Sequence, residues 1–419
     1  MTTEEKTDID LVVIGGGASG LMLAATAASR GLSVSVLDPN QKPGRKLRIT
    51  GKGRCNLTND CDIKTVMANI PCDSRFLYSA LNRFPPSEVK SWFEERGLPL
   101  KTERGNRVFP VSDNANDVAE LLIRECRRFG VRFLRTRALA ILSEDGRVCG
   151  VKTDECTLPC RAAAVCTGGL SYPLTGSTGD GYRFAKSFGH TLTSTQASLV
   201  PLVSGDSYCA EMQGFALKNV TLSAFEDDRL IYRELGELLF THFGVSGPLV
   251  LSASAHMRDF GRHQYRLSVD LKPGLDEKKL NARILRDFEK YANRALKNAL
   301  DDLAGKSMIP VLIRLSGIPE ETKIHDITKE QRMRLLRLFK DFPVSVTGKR
   351  PIDEAIITAG GVSVKEIDPR SMQSKLLKGL YFAGEVLDLD AYTGGFNLQI
   401  AWATAYTAGV SILKEEEET

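Results

Sequence analysis

An α/β protein built on a parallel sheet, with the sheet domain split by an insertion, is what this 419-residue sequence predicts. Three observations carry the prediction. The chain opens on an apolar run, residues 9–14, that leads into Gly15-Gly-Gly17-Ala18-Ser19-Gly20. A second apolar run, Leu380-Tyr-Phe-Ala-Gly384-Glu385, closes on glycine and carboxylate near the other end. Between them, after about residue 190, the texture changes to alternating strands and then to amphipathic helices.

The opening run reads as a buried strand entering a nucleotide-binding turn. Gly15 allows the tight turn, Gly17 lets backbone approach a pyrophosphate, and Gly20 lets the next helix pack closely. That helix, expected over residues 21–30, aims its positive end at the phosphates through Ala18 and Ser19. Residues 34–37 read as the second strand and end in Asp38, about where an acidic side chain takes a ribose hydroxyl. Helical spacing follows over 84–96 and 117–129, with Gly130 as the stop. Strands are expected over 131–134, 138–142, 147–153 and 158–166, the last ending at Thr167-Gly168-Gly169.

In the interruption, Asp227-Asp228 between apolar runs predicts a hairpin, and residues 264–271 alternate as a half-buried antiparallel strand should. Leu280, Ile284, Phe288, Tyr291, Leu296, Leu300 and Leu303 then recur at helical spacing, as do Met333, Leu336 and Phe339. The expected division is 1–190 with 345–419 as one domain and 191–344 as an insert, β-rich over 191–272 and helical over 273–344. The apolar stripes read as core. Arg332, Arg334 and Arg337 read as a solvated face rather than a nucleic-acid surface, since no recognition module accompanies them.

Hydrophobic residues at 42%, charged residues at 26% and a net charge of +4 describe an ordinary globular chain with no bias toward nucleic acid or membrane. No apolar run approaches the roughly 20 residues of a membrane span. The N-terminus lacks a signal-peptide pattern, so a cytoplasmic protein is expected. Nine cysteines without a secretion signal argue for reduced thiols. Cys156 and Cys160 lack the second pair that zinc needs, and no metal is expected. The C-terminal Lys414-Glu-Glu-Glu-Glu-Thr419 reads as a solvated tail.

The far end of the chain decides the cofactor. A simple nicotinamide dehydrogenase needs no second nucleotide-like edge, whereas FAD needs partners for ribityl and isoalloxazine as well as for adenosine. Gly384 and Glu385 suit the ribityl and pyrophosphate region. Gly394 and Gly395 open a helix whose first turn, Phe396-Asn397-Leu398, can aim N–H groups at the flavin N1/C2 edge and favour its reduced form.

Taken together, the chain resembles the aminoacetone-oxidase-like family of FAD-dependent oxidoreductases, a group that includes bile-acid dehydroxylation flavoproteins. The resemblance rests on Gly15–Gly20, Gly44-Arg-Lys46, Thr50-Gly-Lys-Gly-Arg-Cys-Asn56 and Ser177-Thr-Gly-Asp-Gly181. It extends through Phe240-Thr-His-Phe-Gly-Val-Ser-Gly-Pro248, Thr358-Ala-Gly-Gly-Val362, Gly384-Glu385 and Gly394-Gly-Phe-Asn-Leu-Gln399. It implies a Rossmann-like, discontinuous FAD domain of the two-dinucleotide type, interrupted by a β-barrel with a helical appendage. Asp38 departs from the glutamate usual there. The resemblance also implies that Gly44, Arg45, Lys46, Gly51, Gly53, Arg54, Cys55 and Asn56 line the flavin or its phosphates. Cationic groups among glycines suit a pyrophosphate, although Arg45 and Lys46 on a surface loop and a structural Cys55 are the plain alternatives. Ala138 is expected to offer backbone to adenine, and Thr167-Gly168-Gly169 to run beside the adenylate.

Flavin chemistry asks the protein to orient a substrate, exclude water and manage a proton. His242, in a Gly/Ser/Pro-rich loop, is the candidate for the proton, against a structural histidine. The expected reaction moves a hydride from NADH, NADPH or an organic donor to an unsaturated small molecule or oxygen, the substrate lying between the FAD domain and the insert. An RNA-modifying or RNA-binding flavoprotein and a flavin sensor without turnover are the alternatives.

Overall fold

The computed structural model describes residues 9–414, and the expectations for the first six residues and the acidic tail beyond Lys414 lie outside them. The chain divides into two compact units, residues 1–198 with 352–419 and residues 199–351. These boundaries lie seven or eight residues beyond those expected at 190/191 and 344/345, and strand pairing gives the reason. Leu192–Ser198 runs antiparallel to Ile357–Val362, which keeps it with the first unit. Phe342–Val346 pairs with Tyr265–Asp270, which keeps it with the second.

The first unit is built on a sheet whose strands run, in spatial order, Arg132–Leu134, Val34–Leu37, Ile9–Ile14, Thr157–Val165, Arg147–Thr153 and Ala138–Glu144. Leu380–Phe382 adds in parallel to Thr157–Val165, with Leu380 facing Ala163. The central strands are parallel, Leu11 facing Val34 on one side and Ala162 on the other. A strand covered on both faces has no solvent side, so Leu11, Val12 and Val13 form a continuous apolar run and are wholly buried.

Helix Ala18–Ser29 covers this sheet and is buried from Ser19 to Ala28, which is why it reads as apolar all round. The C-terminal helix Phe396–Ser411 packs on it, Gly409 lying against Thr26 where a Cβ would come within 2.7 Å. Arg30 donates to the carbonyls of Gly409 and Ile412 at 3.0 and 2.8 Å, a cation on the negative end of that helix.

The second unit carries an antiparallel sheet in the order Phe342–Val346, Tyr265–Asp270, Ala216–Glu226, Arg229–Thr241, Gly244–Ser246, Leu202–Val203, Gly348–Lys349. Its two edge strands are separated in sequence only by Thr347, so the sheet must curl round on itself in a barrel-like manner. Asp227 and Asp228 both take positive φ, 47° and 66°, as a two-residue hairpin turn requires. The long helical stripe is corrected by the structure. Helix Glu277–Lys290 ends before Leu296, because Leu296 N turns to donate to the Thr322 carbonyl at 2.9 Å and Ala295 bridges Lys323. Leu296, Leu300 and Leu303 are buried core all the same.

Candidate functional site

Four parallel strands of the first unit end at one edge: Ile9–Ile14, Val34–Leu37, Thr157–Val165 and Leu380–Phe382. Their carboxyl ends deliver Gly15 to Ser19, Asp38, Thr167 to Gly169, and Gly384 with Glu385 to the same place, where open parallel sheets bind ligands. Gly15 turns at φ 104°, and a Cβ there would stand 2.5 Å from the Cys166 carbonyl oxygen. Gly20 is packed tighter still, its position for a Cβ being 1.9 Å from the Gly15 oxygen. At Gly17 a Cβ would meet nothing within 4 Å. Gly17 also caps helix Ala18–Ser29 without any side-chain acceptor, so the first N–H groups face open space.

Asp38 is drawn inward. Its carboxylate accepts from Gly16 N at 3.0 Å and from Asn40 N and Nδ2 at 2.8 and 2.9 Å. Burial raises its pKa, and these three bonds pull the other way. Asp38 N donates to the Leu134 carbonyl at 3.1 Å, four residues before Ala138. Ala138 itself is buried and faces Thr153 in the antiparallel meander.

The segment after Asp38 returns to the turn through Gly44 N, which donates to the Gly16 carbonyl at 2.7 Å. Lys46, in the first turn of the segment Arg45–Gly53, whose helix breaks at Thr50, then reaches a cluster that no sequence pattern marked. Its Nζ lies 2.6 Å from Glu385 Oε2 and 2.7 Å from Ser171 Oγ. Ser171 Oγ donates to Glu385 Oε1 at 2.8 Å, and Thr358 N donates to the same oxygen at 3.0 Å. Lys46 thus carries a carboxylate in this structure rather than standing alone toward a phosphate. Thr358 lay within a recognised motif, but Ser171 had no signal beyond its place after a glycine turn.

Arg45 is exposed, with a long contact to Asn40 Oδ1 at 3.4 Å. Arg54 is committed elsewhere: its guanidinium binds Glu103 and Asp113, with Nε 2.8 Å from Asp113, and lies 4.2 Å over the Phe109 ring. Around Arg54, Gly51, Lys52, Gly53 and Cys55 all take positive φ. Two of the four are not glycine, a local strain of the kind that collects at functional sites. Cys55 has no accessible surface and burial pushes its thiol up to about 12, so it packs out of reach of solvent. With its amide oriented to suit its neighbours, Asn56 donates to the Thr58 carbonyl at 3.1 Å and accepts from Gly395 N at 3.0 Å.

That contact joins the loop to the C-terminal helix. Asn59 Nδ2 donates to the Gly394 carbonyl at 3.0 Å. Gly395, at φ 99°, precedes Phe396–Ser411 and provides no side-chain cap. Gln399 is fully buried, accepting from Thr58 Oγ1 at 2.6 Å and donating to the Phe84 carbonyl at 2.9 Å, which fixes the helix start. The Asn397 amide is closed on both polar atoms of the Ala391 backbone, at 2.9 and 2.7 Å, so Phe396, Asn397 and Leu398 offer N–H groups. Gly384 lies against Ser19, with 2.6 Å from its Cβ position to Ser19 Oγ, which links this end to the first turn. Thr167 Oγ1 is buried without a hydrogen-bond partner among the described residues.

His242 belongs to the second unit. It occupies the two-residue turn between Arg229–Thr241 and Gly244–Ser246, exposed, with its ring edge-on to Phe243 at 5.0 Å. Among the described residues there is no cluster of ligands for a metal ion and no helix long and apolar enough to cross a membrane.

Comparison with known proteins agrees with this architecture. The chain is 31% identical over 407 residues to the ribosomal RNA dihydrouridine synthase of Escherichia coli (strain K12), covering 96% of this chain and 98% of the relative. It is 32% identical over 406 residues to the 3-dehydro-bile acid delta(4,6)-reductase of Clostridium scindens, covering 95% and 97%. Its fold is like that of the 3-ketosteroid delta1-dehydrogenase from Sterolibacterium denitrificans, with a TM-score of 0.53, 13% identity and coverage of 97% and 99%. Residues 9–411 match the family described as HI0933-like protein Rossmann domain, and the chain is a member of that family of FAD-binding oxidoreductases.

Proposed function

We propose that this protein reduces a carbon–carbon double bond conjugated to a carbonyl in a compact ring substrate, with NADH or NADPH as the electron donor. One observation carries the reading. Two relatives, each matched over nearly the whole chain, have names that describe saturation of such a bond, one in a 3-dehydro bile acid and one in uridine. Both reactions add two electrons and two protons across an activated ring bond.

FAD, when bound, supplies the two-electron transfer at its N5. The residues fit that cofactor: open space at Gly17 and two helix starts without side-chain caps. Gly17, Ala18 and Ser19 would receive the pyrophosphate, Asp38 the ribose, and Glu385, held in place by Lys46 and Ser171, the ribityl hydroxyls. The start of Phe396–Ser411, which has no side-chain cap, would take the pyrimidine end of the flavin, and a positive helix end there would favour the reduced form. We assign the proton to His242. His242→Asn should lower turnover while the protein keeps its flavin, and unchanged turnover dismisses that role.

The deciding experiment is anaerobic stopped-flow reduction of the yellow protein by NADH, NADPH and an amine panel, followed by a 3-oxo-4-ene steroid, uridine or oxygen. Bleaching by a nicotinamide and reoxidation by the enone support the proposal. Bleaching by an amine alone, with reoxidation by oxygen, replaces it with an oxidase. The relative named for ribosomal RNA favours a second reading, in which uridine within RNA is the acceptor. Salt-sensitive retention of ribosomal RNA and new dihydrouridine in it would establish that reading, and no retention at low salt would remove it.

A further inference from the structure

The amino-terminal edge of the parallel sheet, opposite the glycine turns, holds a cavity of about 470 Å³ lined in part by Arg147, Cys149, Cys160, Arg161 and Lys378. Two cysteines therefore border one pocket. Strand Arg147–Thr153 runs antiparallel to Thr157–Val165, with Val151 facing Leu158 and Gly150 facing Pro159. The next step of that register sets Cys149 opposite Cys160. Directly opposed residues of an antiparallel pair have Cα atoms about 4.5–5.5 Å apart, within the about 4.4–6.8 Å that a disulfide spans.

Beyond this pair the strands part. Arg147 bridges Lys378 and Val148 N donates to the Lys378 carbonyl, while Cys160 faces Ile9. Cys149 is exposed and Cys160 is buried. Burial first, and then the neighbouring Cys149, push the Cys160 thiol up to about 12. The lining of the same cavity also includes Asp368, and Arg161 reaches Asp10 at 3.1 Å. A thiol open to solvent is accessible to an oxidant, and a second thiol opposite it can resolve the first oxidation product.

We propose that Cys149 and Cys160 form a peroxide-oxidised dithiol, Cys149 attacking the peroxide first and Cys160 resolving the product. Cys149 Sγ takes one oxygen of hydrogen peroxide as the O–O bond breaks, giving a sulfenic acid and one water. Cys160 Sγ then bonds to Cys149 Sγ, and the sulfenic oxygen leaves as a second water with the thiol proton. The two thiols lose two electrons and two protons, and one peroxide becomes two waters. The new bond ties the meander to the parallel sheet at the point where the strands diverge, and the chemistry is independent of the flavin reaction.

The test treats the flavin-loaded protein with a small excess of hydrogen peroxide, then alkylates, digests and maps the peptides by mass. The expected product is a Cys149–Cys160 linked peptide lighter by two hydrogens, lost in Cys149→Ser and in Cys160→Ser but kept in Cys156→Ser. Direct passage of Cys149 to the sulfinic acid, with Cys160 still reduced, overturns the proposal. Linkage of Cys149 to Cys156, the exposed thiol in the turn between the same strands, overturns it as well.

Discussion

Gly17 and Gly20 sit three residues apart in one turn, yet alanine at each should fail in a different way. At Gly20 the new Cβ would stand 1.9 Å from the Gly15 oxygen and 3.3 Å from Cys166 Cβ. A close carbon–oxygen contact is about 3.3 Å, so helix and turn must separate by roughly 1.4 Å. Helix Ala18–Ser29 is buried along nearly its whole length, and interiors at crystalline density do not absorb such a shift. Overpacking of this kind costs about 1–3 kcal/mol, and the upper end applies because the obstacle is backbone. That corresponds to a fall in Tm on the order of 5–10 °C.

At Gly17 the added methyl group meets nothing, and φ −82°, ψ −167° suits alanine. Stability without flavin should change by less than about 1 kcal/mol. At the proposed site the methyl group would occupy the space through which a pyrophosphate approaches the helix N-terminus. Losing one charge-assisted bond there costs about 1.5–3 kcal/mol, or roughly tenfold to a hundredfold in FAD affinity. The assay is thermal unfolding of flavin-free protein beside FAD titration followed by flavin fluorescence. A Gly17→Ala protein that binds FAD as tightly as its parent refutes the assignment of the turn, and an unshifted Gly20→Ala melt refutes the packing argument.

Lys46→Met should destabilise the first unit by about 2 kcal/mol in urea unfolding, because it leaves the Glu385 carboxylate, 13% exposed, without its cation; no change would mean the pair contributes nothing. His190 is buried between Glu366, at 3.2 Å, and the Ser374 hydroxyl, at 2.8 Å, and burial holds its pKa below the usual value. The unfolded chain then binds the proton first, so this contribution to stability is full above about pH 6.5 and declines as pH falls toward the folded pKa. Tm measured from pH 7.5 to 5 should drop less in His190→Gln than in the parent, with His256, also held low by burial, retaining part of the slope. Brief alkylation at pH 8 should label Cys149 and Cys156 while Cys55 and Cys166, both raised to about 12 by burial, stay unmodified until the chain is unfolded; early labelling of Cys55 would contradict its placement.

The amino-acid sequence by itself determined the local units of this protein. The glycine turn, the strand ending at Asp38 and the Asp227-Asp228 hairpin are legible because each follows from short-range physics: side-chain periodicity, allowed φ and helix-end polarity. The outward bounds of the units were not legible, since Leu192–Ser198 and Phe342–Val346 take their allegiance from partners far along the chain. The same holds for the site. Lys46 and Arg54 looked alike as cations among glycines, and only the folded chain gives Lys46 to Glu385 and Ser171 and Arg54 to Glu103 and Asp113. A carboxylate partner hundreds of residues away has no periodicity to announce it. Tertiary structure decided which charges meet, because pairing energy depends on distance in space and local spacing carries no record of it.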